Sequence, residues 1–268
     1  MRDFKNRIYR EFPLNFIFFK KYRCYYKLTS TNIVLNEFLE NDVTDINVIV
    51  AGKQTSGMGR RKNVWYSPPG GLWMSVSVPD ILTDEDLTIF NIQCGITVAE
   101  TLTTFIKNEI GVNEKIFVRW PNDLILLNKK LGGLLINMIT EGEQKREIIL
   151  GIGINVNQTV FPESLSDIAT SLLIVFKKRL SKSKLLWLIL KELDKMFLRL
   201  SKGEKWGIEN KWQGVSYELG KKIEIEMGNL KKVGRALGIG QKGELLLEDE
   251  NGDVISIFNG YNLRIENK

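Results

Sequence analysis

Apolar positions recur along this chain with helical spacing in some stretches and with strand spacing in others, and the texture changes once, near the C-terminal fifth. Residues 16–26 are aromatic-rich and read as extended. Ser30-Thr31 then caps a short helix with Val34, Leu35, Phe38 and Leu39 on one face. A β-branched run over 46–51 suits a buried strand, and 53–71, rich in Gly, Ser, Pro and basic residues, is loop. Residues 72–78 alternate and stop at Pro79. Thr83 with Asp86 forms a capping-box pattern ahead of a long helix, where Leu87, Phe90, Cys94, Val98, Leu102 and Phe105 recur on one face. Strands are predicted over 116–120, 124–127, 131–138 and 148–156, joined by Pro-Asn-Asp, Asn-Lys-Lys and charged turns. Ser183 precedes another amphipathic helix, with Leu186, Ile189, Leu193, Met196 and Leu200 facing inward.

After Trp212-Gln213-Gly214 the pattern becomes five short strands over 223–227, 233–239, 244–248, 254–258 and 261–265. Turns such as Asn251-Gly252-Asp253 and Asn259-Gly260 separate them, and this spacing predicts a small barrel. The expected organisation is therefore a strand-and-helix domain over 1–214 and an all-β domain over 215–268. A chain of 268 residues fits one large plus one small domain.

Composition narrows the chemistry. Hydrophobic residues are 43% and charged residues 26% of the chain, an ordinary globular balance that argues against disorder. The net charge of +6 suits an anionic ligand or an acidic partner as well as nucleic acid. There is no histidine, which removes Ser-His-Asp and Cys-His nucleophilic schemes and His-ligated zinc. Cys24 and Cys94 have no CxxC spacing and read as two packed, reduced thiols. Catalysis must then run on Lys, Arg, carboxylates, amides, backbone donors or a bound hard cation. The longest apolar runs are broken by Asn15, Lys177 or Lys191, and no cleavage site follows the basic N-terminus, so the expected location is the cytoplasm, with no membrane partner.

Three segments carry candidate chemistry. In the first, 54–70, Gly57 and Gly59 let backbone N–H groups approach an anion, and Arg60-Arg61-Lys62 supply charge. It is neither a dinucleotide fingerprint nor a P-loop, and on pattern alone an anion site and a solvated basic loop explain it equally well. The second is Arg119-Trp120-Pro121-Asn122-Asp123 followed by Lys129-Lys130-Leu131-Gly132-Gly133. The Trp-Pro-Asn-Asp part is ordinary turn chemistry by itself, whereas a lysine beside two glycines at the start of a buried strand permits close ligand approach. The third, Gly151-Ile152-Gly153-Ile154-Asn155, is explained equally by tight strand packing.

Taken together and in this order, after Ser30-Thr31-Asn32 and before Gly234-Arg235-Ala236-Leu237-Gly238-Ile239 and Leu245-Leu246-Leu247, the segments resemble the biotin protein ligase family over nearly the whole chain. The resemblance implies an α+β fold: a mixed central sheet flanked by helices, related to the class II aminoacyl-tRNA synthetase core, plus a C-terminal SH3-like barrel. It also implies ATP and Mg²⁺ as co-substrate and ion, and two steps. Biotin carboxylate attacks the α-phosphate of ATP to give biotinyl-AMP, and a lysine of a biotin carboxyl carrier protein domain then attacks the mixed anhydride. No enzyme nucleophile is needed, so a chain without histidine loses nothing.

Roles follow by matching positions. Ser30, Thr31 and Gln54 match residues that hydrogen-bond the biotin ureido group. Gly57, Arg60 and Arg61 match the loop that folds over biotinyl-AMP, and Trp65 matches an aromatic packed against adenine. Arg119 keeps a charge for the phosphates where the family usually has Lys; Asn122 and Asp123 face the nucleotide, with Asp123 placed to orient or deprotonate the incoming lysine. Lys130 bridges biotin carboxylate and α-phosphate; Gly133, Gly151 and Asn155 line the pocket; Arg264 reaches ATP. No residue is matched to a metal ligand. Two departures stand out: Met58 where the family usually carries a cation, and Lys62-Asn63 where it repeats Gly-Arg. Too few residues precede Ser30 for a helix-turn-helix domain, so specific DNA binding is not expected. An exposed sheet edge would serve a homodimer or carrier docking equally well. The alternatives are a lipoate-type ligase of the same core fold and a non-catalytic biotin-sensing module.

Overall fold

The computed structural model describes residues 10–13, 15–141, 145–204 and 207–265. Its main layer is an eight-stranded mixed sheet in the order β1-β2-β3-β4-β8-β7-β6-β5. The strands are β1 (Arg10–Pro13), β2 (Lys21–Leu28), β3 (Ile46–Gln54), β4 (Leu72–Val78), β5 (Phe117–Arg119), β6 (Asp123–Leu126), β7 (Lys129–Glu141) and β8 (Lys145–Ile154). Only β2 and β3 pair in parallel, because helix α1 (Thr31–Glu40) forms the crossover between them; every other pair is antiparallel and joined by a loop, a turn or a longer return.

Both faces of the central strands are covered, which is why they read as nearly continuous apolar runs. Along β3, β4 and β8, Val48, Val50, Leu72, Met74, Val76, Leu150 and Ile152 join the larger apolar cluster. Ile49, Ala51, Trp73 and Ile149, one residue out of step, face the opposite way and pack with Leu35 and Leu39 of α1. The larger cluster is capped by α2 (Leu87–Ile110) and α5 (Lys182–Ser201), which pack on each other. Each such buried side chain contributes about 1.5–3 kcal/mol. α2 is long and apolar enough to cross a membrane by length and composition, but 72% of that stretch is buried inside this fold, so its apolar surface is spent on the core.

Several boundaries differ from the sequence reading. Strand β2 begins at Lys21, because Asp194 of α5 accepts the backbone N–H groups of Ile17 and Phe18 and holds that segment in a bend. Ser181, not Ser183, caps α5, accepting from the Lys184 N–H. The short helices α3 (Glu163–Ser166) and α4 (Leu172–Phe176) were not foreseen. Thr83 and Asp86 do pair, the Asp86 carboxylate accepting both the Thr83 N–H and hydroxyl.

Helix α6 (Ile208–Val215) leads into β9 (Lys222–Met227), β10 (Leu230–Ile239), β11 (Leu245–Glu248), β12 (Val254–Ile257) and β13 (Tyr261–Ile265). These form an antiparallel sheet in the order β12-β11-β10-β9-β13, so the last strand returns beside the first. No bridge closes β12 onto β13 among the described residues. The inner residues Ile223, Ile225, Ala236, Leu245, Leu247 and Ile257 are continuous with the larger core, which docks this sheet's turns beside the main sheet.

Candidate active site

A cavity of about 600 Å³ opens where α1, the 54–66 loop, the Trp-Pro-Asn-Asp turn, the β7–β8 glycines and the turn before β13 converge. One end is a buried hydrogen-bonding relay. Gln54 Oε1 accepts from Thr31 N at 2.8 Å and Thr31 Oγ1 at 3.2 Å, while Gln54 Nε2 donates to Ser67 Oγ at 2.8 Å. Ser75 Oγ lies 2.7 Å from both Thr31 Oγ1 and Asn32 Oδ1, and its single proton serves one of them at a time. Ser30, Thr31, Asn32, Ser67 and Ser75 are all buried, so a polar ligand placed here meets fixed partners rather than water. Gly151 faces Asn32: a β-carbon there would stand 2.8 Å from Asn32 Nδ2.

The other end is cationic. Arg60, Arg61, Arg119 and Lys130 line it, and Asp123 is the only acidic lining residue among those described. Asp123 Oδ1 pairs with Lys130 Nζ at 2.7 Å and Asp123 Oδ2 with Arg119 at 2.6 Å. Burial pushes the Asp123 carboxyl up, but Lys130 and Arg119 outweigh it and hold it below its ordinary value. Arg60 donates at 3.3 Å to Asn122 Oδ1 and at 3.3 Å to the Gly260 carbonyl. Burial lowers the Arg60 guanidinium's pKa, with Arg61 beside it acting the same way and Asp123 opposing.

Local structure explains how Lys130 reaches the cavity. Gly132 pairs with Leu124 but Lys130 with Ile125, so β7 bulges by one residue at Leu131. The bulge puts Lys130 and Gly133, an odd number apart, on the cavity side and sends Leu131 into the core. Residues 168–170 clamp the bulge from outside, Lys130 N donating to Ile168 O and Thr170 N to Lys130 O. Trp65 lies across Gly153, where a β-carbon would meet its Nε1 at 2.6 Å, and Lys130 Nζ sits 5.0 Å from its ring centroid. Gly133 is 3.6 Å by the same construction from the far edge of that ring.

Ser30, Thr31, Gln54, Arg60, Arg61, Trp65, Arg119, Asn122, Asp123, Lys130, Gly133, Gly151 and Asn155 thus line one cavity. Two expected residues do not. Gly57 lies beneath the loop, where a side chain would collide with the Trp65 carbonyl, so it shapes the loop rather than the cavity surface. Arg264 is exposed on β13 beside Glu224 and outside the lining; the strand turns Tyr261, Asn262 and Leu263 toward the cavity instead. Met58 lines the cavity and is 40% exposed, while the Lys62 side chain lies outside the described residues. Sequence reasoning passed over Ser75 and Tyr261, and named Gly153 in the third segment without giving it a role. Gly153 carried a signal, the glycine pair in Gly-Ile-Gly; a serine within an apolar strand and a tyrosine after a turn carried none.

Residues 23–155 match the Biotin/lipoate A/B protein ligase family. The chain is 33% identical over 229 residues to the bifunctional ligase/repressor BirA of Bacillus subtilis, covering 84% of this chain and 68% of that one. It belongs to this family. It is also 25% identical over 220 residues to the biotin–[acetyl-CoA-carboxylase] ligase of Mycobacterium tuberculosis, covering 80% of this chain and 77% of that one. A biotin protein ligase from Aquifex aeolicus, solved in complex with biotin and ATP, superposes with a TM-score of 0.78 at 27% identity, covering 91% of this chain and 99% of that one.

The ligase cavity has no carboxylate cluster for a metal: no three acidic or thiol side chains converge among the described residues. Asp123 is committed to two cations, and Asn122 and Asn155 already accept from Arg60 and Gln158. These residues fit a Mg²⁺ held mainly by nucleotide phosphates and water, as that ion usually is, rather than by a protein cage.

Proposed function

We propose that the protein is a biotin–protein ligase that activates biotin with ATP and transfers it to a lysine of a biotin carboxyl carrier domain. The observation that carries this reading is the cavity's polarity: a buried amide-and-hydroxyl relay at one end and four cations around a single carboxylate at the other. A ureido ring carries two N–H donors and one carbonyl, which the Ser30–Thr31–Gln54 end complements. An analogue without them would leave those buried groups unpaired. The carboxylate end of biotin and the α-phosphate then fall to Lys130, whose ammonium keeps one proton on Asp123 and has two left to donate.

In the first step the biotin carboxylate oxygen bonds to the α-phosphorus and pyrophosphate leaves with the bond electrons. Arg60, Arg119 and Lys130 stabilise the charge that builds on the phosphoryl oxygens, and Asn122 holds Arg60 in register. Bound Mg²⁺ would neutralise part of the triphosphate charge. In the second step the carrier lysine's neutral amine attacks the carbonyl carbon. The bond from that carbon to the phosphate oxygen breaks with its electrons leaving on AMP, and the amine's proton passes to water or to the departing phosphate. Asp123, with both oxygens occupied and its pKa lowered, is better fitted to position Lys130 and Arg119 than to accept the amine's proton. Trp65, lying across Gly153 beside Lys130, is the aromatic surface we assign to adenine. We assign residues 215–268 to a C-terminal domain that shares its core with the main sheet and whose turns complete the nucleotide end.

Incubation with labelled biotin, ATP and an apo carrier domain tests the reading. Label on the carrier lysine, dependent on ATP, is the expected result. Transfer of lipoate instead of biotin would make it a lipoate-type ligase, and biotin binding without pyrophosphate release would make it a sensor.

A further inference from the structure

The 57–65 segment is a small hairpin closed by its own backbone bonds. Trp65 N donates to Gly57 O, Gly59 N to Asn63 O and Asn63 N to Arg60 O, and Met58 bridges Val64. Its tip, Arg60–Lys62, leans against the turn that enters β13. Closing such a tip over a cavity already holding Arg119 and Lys130 brings like charges together, and Asp123 is the only acidic lining residue among those described. Something other than the cavity's single carboxylate must favour the closed position. Arg61 shows what does so: its guanidinium carbon stands 3.5 Å from the Tyr261 ring centroid. Its backbone is held at φ 56°, ψ 34°, a left-handed conformation that side chains disfavour and that persists only where surroundings impose it. The Tyr261 ring is carried by β13, and its hydroxyl donates to the Gly228 carbonyl at 2.5 Å and takes no part in the Arg61 stack. The sheet behind it is tied to the active-site turn through Trp120, whose indole N–H donates to the Gly243 carbonyl at 3.0 Å.

We propose that Tyr261 is a positioning residue that latches the hairpin over the cavity by stacking under Arg61, so that the C-terminal sheet sets how long the adenylate is retained. The stack draws the Arg61 charge outward onto a π face and leaves Arg60 turned toward Asn122. It supplies a hold on the loop from the C-terminal rim of the cavity in a chain whose position 58 offers only a methionine. This inference rests on the ligase reading for what is retained, but not for the latch itself.

Two measurements on wild type, Tyr261→Phe and Tyr261→Leu test it. In the free protein, amide hydrogen exchange over residues 57–64 should quicken roughly fivefold in Tyr261→Leu and stay near wild type in Tyr261→Phe, because the ring and not the hydroxyl holds Arg61. Equal exchange in wild type and Tyr261→Leu overturns the latch, whatever reaction the protein performs. In single-turnover experiments, release of preformed biotinyl-AMP should quicken by a similar factor in Tyr261→Leu and stay near wild type in Tyr261→Phe. A merely structural role would quicken exchange throughout the C-terminal sheet and not over 57–64 alone, and release as fast in Tyr261→Phe as in Tyr261→Leu would also overturn the proposal. No pyrophosphate burst in wild type would overturn the ligase reading alone, leaving the exchange result to decide the latch.

Discussion

Glu218→Gln should make the protein's stability less sensitive to pH, and the size of the effect follows from where that carboxyl sits. Glu218 lies in the segment between α6 and β9 and is fully buried. Oε1 accepts the Trp120 N–H at 3.0 Å, while Oε2 is buried without a partner. Burial raises its pKa from 4.5 to about 7; the Trp120 and Glu218 backbone N–H groups, Arg119 and Lys221 pull it back only in part. Between about pH 4.5 and about pH 7 the folded state therefore keeps a proton that the unfolded state has lost. The stability this proton provides is fully present below the unfolded value and is lost as pH rises through the folded one. A gap of roughly 2.5 pH units, at about 1.4 kcal/mol each, comes to about 3 kcal/mol. Glutamine keeps an acceptor for Trp120 and cannot ionise. Its amide N–H groups gain no partner at the Oε2 position, a cost of about 1–3 kcal/mol that does not vary with pH. Urea unfolding of wild type and Glu218→Gln at pH 5, 6.5 and 8 measures the difference. It should move by about 2–3 kcal/mol in favour of glutamine from pH 5 to pH 8. A difference that stays constant with pH would refute the reasoning and show that Glu218 is ionised, or hydrated, throughout.

Lys130→Ala should slow pyrophosphate release about a hundredfold while weakening biotin far less, because a preorganised charged donor at the reacting oxygens is worth roughly 3 kcal/mol in the transition state; near wild-type bursts would remove Lys130 from the chemistry. Trp65→Ala should weaken ATP several-fold more than biotin by calorimetry, and equal losses would mean that the indole serves only as packing over Gly153 and Gly133. Met58→Arg should slow escape of preformed biotinyl-AMP about tenfold if one charge-assisted contact adds about 1.5 kcal/mol to the closed loop; unchanged release in a stopped-flow chase would show that position 58 does not touch the intermediate.

The apolar runs of β3 and β8, the alternation of β4, the helical stripe of α2 and the turn-spaced strands after residue 214 were legible in the chain because they depend on neighbours a few residues apart. The same holds for the order of the glycine-basic loop, Trp-Pro-Asn-Asp, Lys-Leu-Gly-Gly and Gly-Ile-Gly segments, which pointed to the family before any coordinate did. What tertiary structure alone decided depends on contacts between distant residues. The bulge at Leu131 is a mismatch between two strands, so no periodicity in either one announces that Lys130 and Gly133 share a face. Asp123, matched in sequence to a residue that orients or deprotonates the incoming lysine, carries Lys130 and Arg119 on its two oxygens, a matter of distance rather than spacing. Arg264 points away from the cavity because of how β13 pairs with β9, whereas Tyr261, three residues earlier, reaches the loop. No local pattern marks Glu218, and only its burial against the Trp120 turn raises its pKa. Local patterns select elements, but register, burial and electrostatics are sums over the whole fold, and the chemistry of this cavity is set by those sums.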